Sequence, residues 1–184
     1  MILWIVLGII VVLAVWVIVV FNALVRNRMR VKDAWSDIDV QLKRRYDLVP
    51  NLVETVKGYK EYEASVLENV TKARVAAMSL EPAGPKDRAK AEDMFTGALK
   101  TLFAVSENYP QLKASENFKQ LQDQLSLIEN DIQSARRYYN ATVREMNIAI
   151  KVFPTSVVAG ALGFDEEEFF GVEEGEREPV KVSF

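Results

Sequence analysis

The chain has 184 residues, of which 49% are hydrophobic and 27% are charged, and its formal net charge is −3. It contains no cysteine and no histidine, which excludes disulfides, the usual zinc ligands and the commonest general base near neutral pH. Residues 165–184 are strongly acidic, and the rest of the chain carries +3, too weak a basic charge to predict a nucleic-acid partner.

The first element is an uninterrupted apolar segment. No charged residue occurs before Arg26, and residues 1–21 are long enough to cross a hydrocarbon core of about 30 Å as a helix. A cleaved signal peptide is the alternative, but it needs a basic start, a shorter apolar core and a small-residue cleavage site. Residues 22–25 have no such site. We therefore predict a transmembrane signal anchor over residues 1–24, with residues 2–21 in contact with the lipid bilayer.

The residues that follow the anchor predict its orientation. Basic side chains are concentrated on the C-terminal side of the apolar segment, at Arg26, Arg28, Arg30, Lys32, Lys43, Arg44 and Arg45. Loops rich in lysine and arginine stay in the cytoplasm. We expect a single-pass protein of the cell (inner or plasma) membrane, with its N-terminus outside and its C-terminal bundle in the cytoplasm.

Apolar residues spaced three and four apart predict long amphipathic helices in the rest of the chain. Breaks at Asp47–Pro50, at Glu81–Pro85, at Asn108–Pro110 and at Phe153–Pro154 predict four helices. They run from the membrane to about Tyr46, then over about 50–80, 86–107 and 115–153. The predicted fold is all-α: an N-terminal transmembrane helix that continues into an antiparallel, up-and-down four-helix bundle over residues 25–154. The expected core includes Trp35, Ile38, Leu42, Leu125, Ile128 and Ile132.

Two segments follow the predicted bundle. Residues 155–170 form an apolar segment and a short acidic and aromatic cap, and residues 155–164 are uncharged. This uncharged segment either enters the membrane interface or covers the end of the bundle. Residues 171–184 are predicted to be an acidic tail with an extended C-terminus that ends at Phe184. Such a terminus is a candidate for strand addition to a partner's sheet edge.

Two polar clusters are candidate interaction sites. Lys43, Arg44 and Arg45 lie beside the break at Pro50, where they either stabilise a helix C-terminus or form a docking tip for a partner. On the fourth helix, one polar stripe is either a solvated face or an oligomer contact; it comprises Arg136, Asn140, Arg144, Asn147 and Lys151. Arg136, Arg137 and Arg144 are also candidates to reach Glu63. Glu63 interrupts an apolar pattern; it is either accommodated by a local opening or a nearby Arg or Lys, or it serves as a register device or polar binding site.

Several motifs resemble the signature of the LemA family. They are Arg26-Asn27-Arg28, Ala34-Trp35-Ser36-Asp37-Ile38-Asp39-Val40-Gln41-Leu42-Lys43-Arg44-Arg45, Asp47-Leu48-Val49-Pro50-Asn51-Leu52-Val53, Glu107-Asn108-Tyr109-Pro110, Ala135-Arg136-Arg137-Tyr138-Tyr139-Asn140 and Phe153-Pro154. The resemblance covers nearly the whole chain in order. It implies a single-pass membrane protein with a four-helix bundle, often associated with membrane stress proteins, including a membrane zinc protease. It implies no reaction.

We therefore expect a non-enzymatic scaffold or adaptor at the membrane, linked to membrane stress or to membrane protein quality control. It would use no cofactor, no metal and no small-molecule substrate. Its expected partners are a second copy of itself, because the fourth helix is longer than the first helix beyond the membrane, and a membrane protease or another membrane protein. The alternatives are a membrane-shaping, coat-like oligomer and an enzyme based on carboxylates and lysine.

Overall fold

The computed structural model describes residues 1–58, 63–81 and 83–171. Six helices account for most of this part of the chain, and it contains no strand. In chain order they are α1 (Ile2–Lys57), α2 (Ala64–Ser79), α3 (Pro85–Ser106), α4 (Pro110–Lys113), α5 (Glu116–Lys151) and α6 (Thr155–Ala161). The predicted all-α class is confirmed.

Helix α1 begins with the apolar segment identified from the sequence. Nearly every side chain from Ile2 to Phe21 is exposed, although almost all of them are apolar. The segment is long and apolar enough to cross a membrane, and no other described helix meets that criterion. An exposed apolar helix of this length is typical of a membrane anchor, because water would have to hydrate its whole surface.

The prediction that the first helix ends near Tyr46 is wrong, because α1 continues through Pro50 to Lys57. Proline has no backbone N–H, so Pro50 cannot donate the usual hydrogen bond to the Tyr46 carbonyl one turn earlier. That carbonyl instead accepts a hydrogen bond from Nε of Arg74, on α2, at 2.8 Å. With the carbonyl satisfied by another helix, the chain does not have to break at Pro50.

The other predicted breaks fall close to their observed positions. Helix α2 ends at Ser79 and α3 begins at Pro85, on either side of the proline- and glycine-rich loop. Helix α5 ends at Lys151, just before the Phe153–Pro154 pair. The break between the first two long helices lies after Lys57, where α2 starts only at Ala64. The short helices α4 and α6 were not predicted.

The described chain divides into two compact units, and α1 and α5 contribute to both. Unit 1 comprises residues 1–39 and 135–167. On its part of α1, Leu24, Val31, Ala34 and Ile38 are buried, and the ring of Trp35 lies 5.3 Å from that of Tyr139 on α5. Trp35 itself is half-buried, so it lies at the edge of the core rather than inside it as predicted.

Unit 2 comprises residues 40–134 and 168–184, of which the structure describes all but 59–62, 82 and 172–184. Its buried residues follow the predicted periodicity: Leu42, Leu125, Ile128 and Ile132 are all in the core. Phe95, on α3, is fully buried, and Phe103 packs edge-on against Phe118 with 6.2 Å between the ring centroids. Burial of these apolar surfaces is the main stabilising term for such a unit.

The length mismatch expected between the first and fourth helices is not present. Because α1 passes through Pro50, the part of it beyond Phe21 is 36 residues long, and so is α5. Met146, which the mismatch would have left exposed, is fully buried. The original reason for expecting self-association is therefore removed.

Candidate functional site

A network of charged side chains lies inside unit 2, where apolar packing was expected. The Arg45 side chain, on α1, is 1% exposed, and that of its ion-pair partner Glu92, on α3, is 0% exposed. Arg45 Nη1 also donates to Oε2 of Glu129, on α5, and to Oγ1 of Thr96, on α3, each at 2.8 Å. Removing one partner from such a buried pair leaves an uncompensated charge and costs about 3–5 kcal/mol.

Tyr46 completes this buried network. Its hydroxyl donates to Oε1 of Glu92, whose Oε2 accepts from Arg45 Nη2. Burial raises the pKa of the Tyr46 phenol above its ordinary value, and the hydrogen bond to Glu92 and that residue's negative charge raise this pKa further. The Arg45 guanidinium also lies over the ring of Phe95, 4.9 Å from its centroid, which is a cation–π geometry.

The network is suited to joining helices rather than to chemistry on a substrate. Glu92 is inaccessible to solvent, and both of its carboxylate oxygens are engaged by Arg45 and Tyr46. Arg45, Glu92 and Glu129 come from three different helices, so their pairing specifies which turns of those helices face one another. In the described residues, no group of three or more acidic side chains is arranged to hold a metal ion.

Sequence reasoning identified Arg45 but placed it on an exposed tip, and it missed Glu92, Tyr46, Thr96 and Glu129. The missed signal is positional. Arg45 occupies a core position in the apolar pattern of α1, with the series Ile38, Leu42, Arg45, Val49, Leu52 and Val56. On α3, Arg88 and Glu92 occupy the same kind of position, before Phe95, Leu99 and Leu102. Opposite charges at core positions of two helices would have predicted a buried ion pair.

The other two members of the basic cluster are at the surface of unit 2. Lys43 and Arg44 are exposed, and Arg44 Nη1 lies 3.6 Å from Oδ2 of Asp131, on α5. Arg44 also borders an open groove between α1 and α5, which is lined by Arg44, Asp47, Leu48, Gln124, Leu127 and Ile128. Leu127 is 65% exposed, so the groove combines an apolar side chain with charged neighbours. We call these six residues the α1–α5 groove.

The remaining predicted site residues do not join this groove. Glu63 is exposed and precedes α2, so it does not interrupt a buried seam; the chain leaves the helix before reaching it. Arg136 and Asn140 are half-buried and Arg137 and Arg144 exposed, all in unit 1. Phe184 lies outside the described residues.

Asn147, on α5, has a specific role in unit 1 that the sequence did not reveal. Its amide donates from Nδ2 to the carbonyl oxygen of Glu167 and accepts at Oδ1 from the backbone N–H of the same residue, both at 2.9 Å. These two hydrogen bonds hold the segment after α6 against the C-terminal part of α5.

The helical structure and its motifs agree with the comparison to known proteins. The model of the LemA family matches residues 34–184, which is most of the chain. The chain belongs to the LemA family. The match includes Arg45, Glu92 and Glu129 as well as all six residues of the α1–α5 groove. The predicted family is thus confirmed.

Relatives of this LemA-family chain include Protein LemA of Metamycoplasma hominis, which is 29% identical over 88% of this chain and 74% of its own length. Magnetosome protein MamQ of Magnetospirillum gryphiswaldense is 25% identical over 82% of this chain. Magnetosome protein MamQ 2 of Paramagnetospirillum magneticum is 26% identical over 73% of this chain. The alignments cover 64% and 58% of these two magnetosome proteins, less than two thirds of their length.

Proposed function

We propose that this LemA-family chain is a single-pass membrane scaffold or adaptor, which acts by binding other proteins and not by catalysis. The observation that carries the proposal is the continuity of α1 within unit 1. The helix that begins with the exposed apolar segment continues into the part that packs against α5. A body attached to its anchor in this way is held at the bilayer without a flexible linker.

We further infer that α1, α2, α3 and α5 form the antiparallel four-helix bundle expected from the sequence, and that this bundle lies in the cytoplasm. The ion network supports the bundle, because it draws on α1, α3 and α5, while Arg74 connects α2 to α1. The basic residues that follow the apolar segment support the cytoplasmic placement.

The α1–α5 groove is the surface that we assign to a protein partner. It presents Leu127 and Leu48 beside Arg44 and Asp47, a mixture typical of an apolar contact with a charged rim. Because the length mismatch is absent, a second copy of the chain is only one of the partners to be tested. A link to membrane stress or to membrane protein quality control depends on which partner is found.

Affinity purification from gently solubilised membranes tests this assignment. Leu127→Asp places a charge in the groove and should abolish co-purification of the bound protein. Ser126→Asp is the matched control: it adds the same charge to an exposed neighbour on α5 that does not line the groove, and it should leave co-purification unchanged. Identical sets of co-purified proteins for both variants would contradict the assignment of the groove as the partner-binding surface. If a differently tagged copy of the chain is the only protein that co-purifies, the partner is a second copy and the protein is a homo-oligomer.

A further inference from the structure

The residues just after α5 and the outer face of α6 present apolar side chains at the surface. Phe153 is 79% exposed and Val157 is 63% exposed, with Val152 and Leu162 also at the surface. On the other face of α6, Val158 and Ala159 are buried. No charged residue occurs between Lys151 and Asp165. This segment is therefore anchored through one face and presents an uncharged, apolar face on the other.

The contacts in unit 1 define where this segment lies along α1. The Trp35 and Tyr139 rings are in contact, and fourteen residues, or about 21 Å of helix rise, separate Trp35 from Phe21 along α1. Fourteen residues also separate Tyr139 from Phe153, and the last two of them follow the end of α5. Helix α5 runs antiparallel to α1 in unit 1, because Arg28, which precedes Trp35 on α1, pairs with Glu167, and Glu167 is bonded to Asn147, which follows Tyr139 on α5. Phe153 therefore lies near the level of Phe21. The segment also ends there, since the Phe164 ring packs edge-on against Phe21 with 6.0 Å between the centroids.

Phe21 is the last residue of the long apolar segment of α1, so this level is the end of the proposed membrane span. The segment between Phe153 and Phe164 begins and ends beside that boundary. Its exposed apolar side chains thus lie near the level at which the exposed apolar segment of α1 ends. A surface that adjoins a lipid-facing helix at the same level requires no second protein to cover it.

Ion pairs and the two hydrogen bonds between Asn147 and Glu167 hold the segment in this position. Glu167, which is bonded twice to Asn147, also lies 3.6 Å from Nε of Arg28 on α1. Glu166 pairs with Lys151 at 2.7 Å. These basic partners compensate two of the acidic charges that follow α6, which reduces the repulsion expected beside an anionic leaflet.

We propose that the segment from Phe153 to Phe164 is a second membrane-contact element, which inserts its exposed apolar face into the lipid interface beside Phe21. The proposal rests on the membrane anchoring by α1 that is part of the proposed function. Phe153, Val157 and Leu162 would contact lipid in the leaflet nearest to Phe21. The element would restrict rotation and tilt of the body by giving it two contacts with the same leaflet.

The natural absence of cysteine permits a direct test with single-cysteine, spin-labelled variants of the full chain. The chain is reconstituted in vesicles of phosphatidylcholine with a minor share of phosphatidylglycerol. Collision rates with oxygen, which concentrates in lipid, and with a water-soluble nickel chelate then report the surroundings of each label. Val157→Cys is compared with Val75→Cys, a valine of similar exposure (57%) on α2, and with Val11→Cys in the apolar segment of α1.

We expect the oxygen-to-nickel collision ratio at Val157 to be several-fold higher than at Val75 and to approach the ratio at Val11. Leu162→Cys provides a second, independent position and should behave as Val157 does. A ratio at both positions equal to that at Val75 would overturn the proposal, as would low collision rates with both reagents, which signal burial against protein. If Val11 also reports water, the anchoring by α1 fails; if only Val157 and Leu162 do, the second contact alone fails.

Discussion

Arg44 and Arg45 are neighbours in the sequence with opposite environments. The Arg44 side chain is exposed and lies near Asp131, another exposed residue, whereas Arg45 is enclosed by Glu92, Glu129 and Thr96. Exposed ion pairs contribute at most about 1 kcal/mol, because water solvates both charges. A buried pair contributes differently, because neither charge can recover its hydration once the other is removed.

Arg45→Met should therefore destabilise the protein by about 3–5 kcal/mol, since Glu92 loses its buried cation. Arg44→Met is the matched control, and it should cost no more than about 1 kcal/mol. The free energy of unfolding can be measured for the full chain in detergent micelles by urea titration followed with far-UV circular dichroism. Equal losses for the two variants would mean that Arg45 is not a buried ion-pair partner.

Tyr46 should titrate abnormally, because burial and Glu92 raise the pKa of its phenol. A raised pKa in the folded state means that the stabilising contribution is complete below the unfolded pKa, about 10, and is lost as the pH rises above it. The difference in phenolate absorbance between the wild type and Tyr46→Phe isolates this single group. We expect no difference signal near pH 10 and its appearance only as alkali unfolds the protein. A difference curve centred at the ordinary tyrosine pKa would refute the buried hydrogen bond to Glu92.

At the scale of the helices, Pro50 and Arg74 act together. Pro50 removes a donor from α1, and Arg74 Nε supplies one from α2 to the Tyr46 carbonyl. An unsatisfied buried carbonyl costs about 1–3 kcal/mol. Arg74 therefore compensates for the proline as well as joining two helices.

A double-mutant cycle separates these contributions. Arg74→Met should cost about 1–3 kcal/mol in the wild-type background, where the Tyr46 carbonyl is left without a donor. In the Pro50→Ala background the restored backbone N–H of residue 50 can bond that carbonyl, so the same change should cost clearly less. Urea unfolding of the four proteins gives the coupling energy. Strictly additive effects would show that the Arg74 hydrogen bond does not replace the one that Pro50 removes.

The sequence was informative where local physics decides the structure. Apart from Trp35, apolar spacing located the predicted core residues of α1 and α5, and the predicted break at Glu81–Pro85 fell where α2 and α3 are separated. The sequence was misleading at Pro50, where a helix break was predicted. Helix α1 continues there because Arg74, on α2, donates a hydrogen bond to the Tyr46 carbonyl. A local rule for proline cannot include that donor.

The candidate site was less predictable for a related reason. Three adjacent basic residues, Lys43, Arg44 and Arg45, predict one exposed cluster, but successive helical residues point in directions about 100° apart. Only Arg45 faces inward, where Glu92 and Glu129 meet it. The partners of a buried charge come from distant parts of the chain, so its environment depends on the tertiary fold.

At the scale of the whole molecule, the chain combines family membership with an exposed apolar helix that continues into the body. The length and the exposed apolar surface of this helix support our proposal that it is an anchor. The enclosure of Glu92 by Arg45 and Tyr46 supports our proposal that the chain acts by binding. Partners then have to be found in the compartment that contains the body.

The central claim is that α1 anchors a body located in the cytoplasm, and labelling of single cysteines tests it most directly. One variant carries a single cysteine in a short hydrophilic extension ahead of Ile2, and Lys119→Cys is at an exposed position on α5. With a membrane-impermeant maleimide applied to intact cells, we predict reaction at the N-terminal extension and none at residue 119 until the membrane is permeabilised. Labelling of Lys119→Cys in intact cells would contradict the account, because it would place the body and its groove on the outer side of the membrane.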